Sequence, residues 1–217
     1  MIQKVVCLSA SNIEMNRTHS ASTRACEMVG EILTAENKAA AIEIVPLLDY
    51  EMNSCRMCGN CFKTGRCARD EAFNQVMDKM AGADALFLVC PHYAPFPSKV
   101  MILLEKLEEI GFLKSCADPE FRYPWAQKPM GIIAHGGQPE TALPYYKNAL
   151  LAPLASAFRA VQANVVEASK DSPDGVVFGI RSLDLPKGSI FVHIEHDWDI
   201  IRERIRPLVL NVAAAIQ

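Results

Sequence analysis

Apolar positions along this chain fall into two alternating kinds of run. Continuous stretches recur at 4–9 ("KVVCLS"), 40–47 ("AAIEIVPL"), 83–91 ("ADALFLVCP"), 128–137 ("KPMGIIAHGG") and 162–168 ("QANVVEA"). Short unbroken apolar runs are the pattern of strands buried on both faces of a parallel sheet. Between them the apolar residues take a helical spacing. Ala25, Met28, Val29, Ile32 and Leu33 fall on one face of a helix. Residues 70–83 predict a second helix with Asp70 near its start, and 99 to about 109 a third capped by Ser98. A fourth covers 145–161 despite Pro153. Strand and helix in alternation predict an α/β fold, a doubly wound five-stranded parallel sheet covered on both faces. Beyond about residue 170 the rhythm changes. "SPDGVVFGIRSLDLPKG" reads as turn-rich, "SIFVHIE" as a further strand, and "DWDIIRERIRPLVLNVAAAI" as a closing helix that Pro207 kinks or divides. The expected organisation is a domain over 1–170 with a C-terminal extension, 171–217, packed on it.

Composition narrows the function classes. Half of the 217 residues are apolar and the net charge is −3, which suits a folded single domain without the electrostatic footprint for nucleic acid or an anionic membrane. The longest charge-free apolar runs are too short to span a bilayer, and "MIQKVVCLS" lacks the apolar core of a signal peptide. A cytoplasmic location is the expectation. Eight cysteines are too few for a disulfide-dense secreted scaffold. Cys7, Cys26 and Cys90 sit on apolar patterns and read as small buried hydrophobes, and Cys116 as a loop thiol.

In doubly wound sheets ligands bind beyond the carboxyl ends of the strands. The loop after the first strand offers Ser9, Ser11, Arg17, Thr18 and Ser20 ahead of a helix N-terminus, a group that suits either a phosphate or an N-cap in a solvated loop. Lacking glycine, it is not a dinucleotide fingerprint. "PHYAPFP" after the third strand carries His92, Tyr93 and Phe96, which can flank a flat ligand or fill a rigid turn. "HGGQPE" after the fourth strand lets the backbone approach a ligand at Gly136 and Gly137.

The stretch "CRMCGNCFKTGRC" puts Cys55, Cys58, Cys61 and Cys67 into thirteen residues, spaced C-x2-C-x2-C-x5-C. Soft thiolates select iron–sulfur clusters, zinc or copper(I). Three cysteines at successive x2 spacings can wrap three corners of one cube, and the x5 gap with Gly65 lets Cys67 fold back to it. On the residues alone a cluster, zinc, a disulfide and free thiols all stay open, with Lys63, Arg66 and Arg69 able to offset thiolate charge. Near the C-terminus, His193 and Glu195 would share a strand face, more in keeping with a surface ion pair than with metal ligands.

Taken in order, the strand into a Ser-rich loop, "PLLDYEMNSCRMCGNCFKTGRCARDEAF" and "ADALFLVCPHYAPFPSKVMILLEKL" resemble the flavodoxin-like NADPH-dependent FMN reductases, and particularly their iron–sulfur flavoprotein branch. The resemblance covers roughly 3–140. It implies an FMN phosphate at Ser9, Ser11, Arg17, Thr18 and Ser20. The isoalloxazine and ribityl chain would lie against Pro91, His92, Tyr93, Ala94 and Phe96, with His135, Gly136 and Gly137 at the other edge of the ring. It also implies a [4Fe–4S] cluster on Cys55, Cys58, Cys61 and Cys67. The corresponding activity is an FMN-dependent oxidoreductase or electron carrier moving electrons from NAD(P)H or a ferredoxin to a small-molecule or protein acceptor, as a homodimer or homotetramer. Two departures stand out: Ala10-Ser11-Asn12-Ile13 where the family writes Gly-Ser-Pro-Arg, and Met101 and Glu105-Lys106 where it writes Lys and an Asp-Arg pair.

Overall fold

A computed structural model describes residues 4–13, 19–36, 41–188 and 192–216. In chain order its elements are β1 (Lys4–Ser9), α1 (Ala21–Ala35), β2 (Ala41–Pro46), α2 (Cys61–Thr64), α3 (Glu71–Ala81), β3 (Ala85–Pro91), α4 (Ser98–Ala117), β4 (Pro129–Pro139), α5 (Leu143–Tyr146), α6 (Ala152–Ala160), β5 (Asn164–Val165), β6 (Val176–Ile180), β7 (Ser182–Asp184), β8 (His193–Glu195) and α7 (Trp198–Ala214). The main sheet runs β2-β1-β3-β4-β5, with β6 also on β4, and every pairing is parallel.

The pleat sorts β1 between two cores. Val6 and Leu8 pack with Phe73 and Met80 of α3, Leu103 and Leu107 of α4 and Phe158 of α6. Val5 and Cys7 pack with Met28 and Leu33 of α1 and Leu208 and Val212 of α7 on the opposite face. Cys7, Cys26 and Cys90 are buried among these side chains, as their apolar settings predict. No helix among the described residues is long and apolar enough to cross a membrane.

Five expectations need correction. Cys116, expected in a loop, lies on the last turn of α4, which continues to Ala117. The fifth strand position is shared: β5 pairs only with Pro129 and Met130, and the chain returns as β6 to pair from Ile133 onward. The segment expected to be turn-rich therefore contains a sheet strand, "VVFGI", and the sheet has six strands. Ser98 is the first residue of α4 and makes no side-chain cap; the N-cap is Pro97. Pro207 sits inside an uninterrupted α7. The carbonyl deprived of its donor belongs to Glu203, and both residues lie on the solvent-facing side of the helix, while Leu208 and Val209 stay packed. In the fourth helix a π turn, Lys147–Leu151, directly precedes Pro153 and accommodates the missing N–H.

Candidate functional site

Two cavities hold most of the residues singled out from the sequence. The larger, about 460 Å³, opens beyond the carboxyl ends of β1, β3 and β4. Ser11 and Ser20, Pro91, His92 and Tyr93, and His135, Gly136 and Gly137 all line it. His135, Gly136 and Gly137, expected in a loop, belong to β4 itself, and the loop after β3 is tied to that strand by the His92 N–H donating to the His135 carbonyl at 2.7 Å. Ser20 caps α1, its side chain accepting from the Thr23 N–H, and the first turn of α1 carries no acidic residue. The positive end of that helix dipole therefore faces the cavity without a competing carboxylate. Gly136 is obligatory, since a Cβ there would collide with the Tyr146 ring. His135 is buried, with Nε2 2.8 Å from Ser22 Oγ and its ring stacked on Phe178 at 4.8 Å. Burial, and then the neighbouring His196, hold its imidazole down at about 3, so at neutral pH the wall there is uncharged. Among the described residues His92 Nε2 is buried with no hydrogen-bond partner, a polar atom waiting for one.

Other expected residues lie elsewhere. Ser9 is buried and its hydroxyl is spent on Thr23 Oγ1 at 3.0 Å. Ala94 is exposed and outside the lining, and Phe96 packs against the core. Arg17 and Thr18 fall outside the described residues. Conversely, the C-terminal region supplies a wall that sequence reasoning did not assign: Ile180, Val192, Ile194, His196 and Trp198. The only available signal was the run of aliphatic and aromatic residues around "VHIEHDW". Glu195 there accepts from Ser182 Oγ at 2.8 Å and pairs at the surface with Arg181, where the sequence suggests His193 as its partner.

The second cavity, about 210 Å³, is lined by all four cysteines of the run together with Arg56, Arg69, Lys106 and Glu109. Its rim is pinned at defined points. The Cys55 N–H donates to Glu105 Oε2 at 3.0 Å. Asn74 clamps Cys67 from both sides, accepting from its N–H at 2.9 Å and donating to its carbonyl at 2.8 Å. Asp70 caps α3 through Phe73 N and also accepts from the Asn53 N–H at 2.8 Å. Between these pins the loop makes a single helical turn, α2, closed by Gly65 at φ 68°. The Asn60 backbone N–H, against some burial and with help from Arg69, holds the exposed Cys58 thiol below its ordinary range. Burial pushes the Cys61 thiol up. Of the three cations expected to offset thiolate charge, Arg69 lines the cavity, Arg66 turns away to Asp78 and Lys63 stays outside. The cations that sequence reasoning missed are Arg56 and Lys106, of which Lys106 is buried. Among the described residues no group of three or more His, Cys, Asp or Glu side chains is gathered closely enough to hold a single metal ion.

An open parallel sheet ordered β2-β1-β3-β4-β5, with a cavity at its carboxyl edge between helix start and loops, defines a flavodoxin-like protein. The flavodoxin of Streptococcus pneumoniae TIGR4 superposes on it with a TM-score of 0.52 at 12% identity, covering 99% of each chain. RosB, solved with bound 8-demethyl-8-formylriboflavin-5′-phosphate, superposes with a TM-score of 0.65 at 17% identity, covering 99% of this chain and 79% of RosB. The sequence pattern of the NADPH-dependent FMN reductases matches residues 4–168, and the chain belongs to that family. Membership places it among the NAD(P)H-dependent flavin oxidoreductases. A curated relative, the iron–sulfur flavoprotein of Archaeoglobus fulgidus, is 39% identical over 51 residues, which is 24% of this chain and 25% of that protein's length.

Proposed function

We propose that the chain binds FMN in the larger cavity and a [4Fe–4S] cluster in the cysteine cavity, and moves electrons from NAD(P)H or a ferredoxin to a small-molecule or protein acceptor. The observation that carries the cluster is that Cys55, Cys58, Cys61 and Cys67 all face one cavity whose walls carry cations. Four thiolates with nearby positive charge are the donor set an iron–sulfur cluster takes. Because a cluster spreads its ligands around several metal and sulfide atoms, its thiolates stand further apart than the ligands of one ion. When bound, FMN supplies two-electron uptake from a hydride and release of single electrons, and the cluster supplies one-electron exchange.

The chain's own residues do the holding and shielding. Ser11, Ser20 and the positive end of the α1 dipole face the phosphate end, with Arg17 and Thr18 as further candidates from the same loop. Pro91, His92 and Tyr93 flank one edge of the ring, while Gly136 and Gly137 present backbone to the other. His135 fixes Ser22 without adding charge, and Ile180, Val192 and Ile194 exclude water from the open side. Ferredoxin as donor and a homodimer or homotetramer rest on the family resemblance. Light scattering on the purified chain tests the assembly.

A second reading, a flavin reductase without a cluster, is favoured by the lack among the described residues of a close three-ligand group. Anaerobic purification with assays for iron, acid-labile sulfide and released flavin separates the two. FMN with iron and sulfide, lost from a Cys58→Ser variant, supports the cluster. FMN without either leaves the reductase alone. Flavin bleaching by NADPH or NADH, against bleaching by reduced ferredoxin only, decides the donor.

A further inference from the structure

Lys106 is a charged residue where the core gives no reason for one. It lies on α4 and is only 4% exposed, beside Leu103, Leu107 and Phe73. Its partner Asp70, 2.8 Å away, is 5% exposed. Burying such a pair costs desolvation of both ions, and apolar replacement of buried pairs is often neutral or stabilising. Stability alone therefore does not account for it. The ammonium has a second partner: it donates to Cys67 Sγ at 3.5 Å, within hydrogen-bonding reach of sulfur. Cys67 is thus held at both ends, its backbone by Asn74 and its sulfur by Lys106. Cys58, by contrast, is exposed, and its sulfur meets the Asn60 side-chain amide at 3.6 Å and no buried cation.

We propose that Lys106 is a positioning residue for the cysteine site: anchored by Asp70, it aims an N–H donor and a buried positive charge at the Cys67 sulfur, and so raises the reduction potential of the cluster bound there. This rests on the cluster reading above. Reduction adds one electron to the cluster and leaves its bonds and protons in place, so the added negative charge is what Lys106 stabilises. Hydrogen bonds to ligating sulfurs and nearby charge are established levers on cluster potentials. In the low-dielectric surroundings of α4 that charge is weakly screened.

The test compares the wild type with Lys106→Met and with the double variant Asp70→Asn/Lys106→Met, which leaves no unpaired buried carboxylate. Each is purified anaerobically, assayed for iron and sulfide, and titrated with dithionite and mediators while cluster absorbance and electron paramagnetic resonance are followed. The expected result is retained iron and sulfide in the double variant, a cluster midpoint shifted to more negative potential, an altered resonance signal, and an unmoved flavin midpoint. An unchanged cluster midpoint in an iron-loaded variant overturns the role of Lys106. So does loss of iron from both variants, which would mark the residue as structural only. Wild-type protein free of iron and sulfide overturns the cluster reading itself, and that outcome is visible before any variant is made.

Discussion

The two cavities are built from opposite materials. The cysteine cavity is small and walled by Arg56, Arg69, Lys106 and Glu109, with its loop pinned by carboxylates and an amide from α3 and α4. The larger cavity takes its walls from aliphatic and aromatic side chains, glycine backbone, serine hydroxyls and several histidines, of which His135 and His196 are pushed toward the neutral form by burial. Fixed charge close to sulfur suits a group whose own charge changes on reduction. A wide, mostly uncharged slot with hydroxyls at one end suits a flat ring bearing a phosphate. One fold thus keeps its ionic machinery on the α3–α4 side and leaves the mouth formed by α1, the loop after β3, the end of β4 and the C-terminal hairpin nearly free of it.

That contrast can be broken most forcefully at Asp70. Asp70→Ala strands Lys106 without its counter-ion and removes the cap of α3, and is expected to destabilise the chain by about 3–5 kcal/mol in urea unfolding; a loss below about 1 kcal/mol would deny the pair its central place. On the other side, Gly136→Ala drives a methyl into Tyr146. We expect about 1–3 kcal/mol of destabilisation and at least about a tenfold loss in FMN affinity by flavin fluorescence, with iron content unchanged. Equal loss of iron would mean the two sites are not separable.

Acid sharpens the difference next. The imidazole of His135 titrates at about 3 in the folded chain and at 6.5 when unfolded, so the unfolded state takes up its proton first as pH falls. Its contribution is complete above about pH 6.5 and is lost toward pH 3, at a slope of about 1.4 kcal/mol per pH unit. Urea midpoints at pH 7 and pH 5 should converge in His135→Gln and diverge in the wild type. The smallest effect is expected at the hairpin surface. Arg181→Ala removes an exposed pair with Glu195, and is expected to move unfolding by about 0.2–1 kcal/mol.

How much of this was legible follows from where each signal resides. β1, β3 and β4 lie inside the sheet and are covered on both faces, so their apolar runs are unbroken and could be read directly, while β2, at the edge, was legible from its β-branched residues despite Glu43. The last sheet position could not. β5 is only two residues long, and β6 hides behind "SPDG", whose Gly175 adopts φ +122° against the Ile132 carbonyl and so mimics a turn. The cysteine run was legible because its four cysteines lie within thirteen consecutive residues. Lys106 was not: it sits 39 residues from Cys67, in "LEKLEE", where a lysine looks like solvated helix surface. Ser9 looked like a phosphate ligand because its neighbours are polar, but the inward pleat of β1 turns its hydroxyl onto Thr23. Val192, Ile194 and His196 were missed because a two-stranded hairpin carries little burial pattern of its own.

That hairpin has a consequence for the order in which the protein matures. Three sides of the larger cavity come from residues up to Gly137, while Ile180, Val192, Ile194, His196 and Trp198 close the fourth. During synthesis, where folding proceeds from the N-terminal side, a chain on the ribosome displays an open trough at its sheet edge until some sixty further residues have emerged. The cavity is then completed late, and the nascent protein passes through a stage in which the end of the trough beside α1 is formed before the C-terminal side that encloses it.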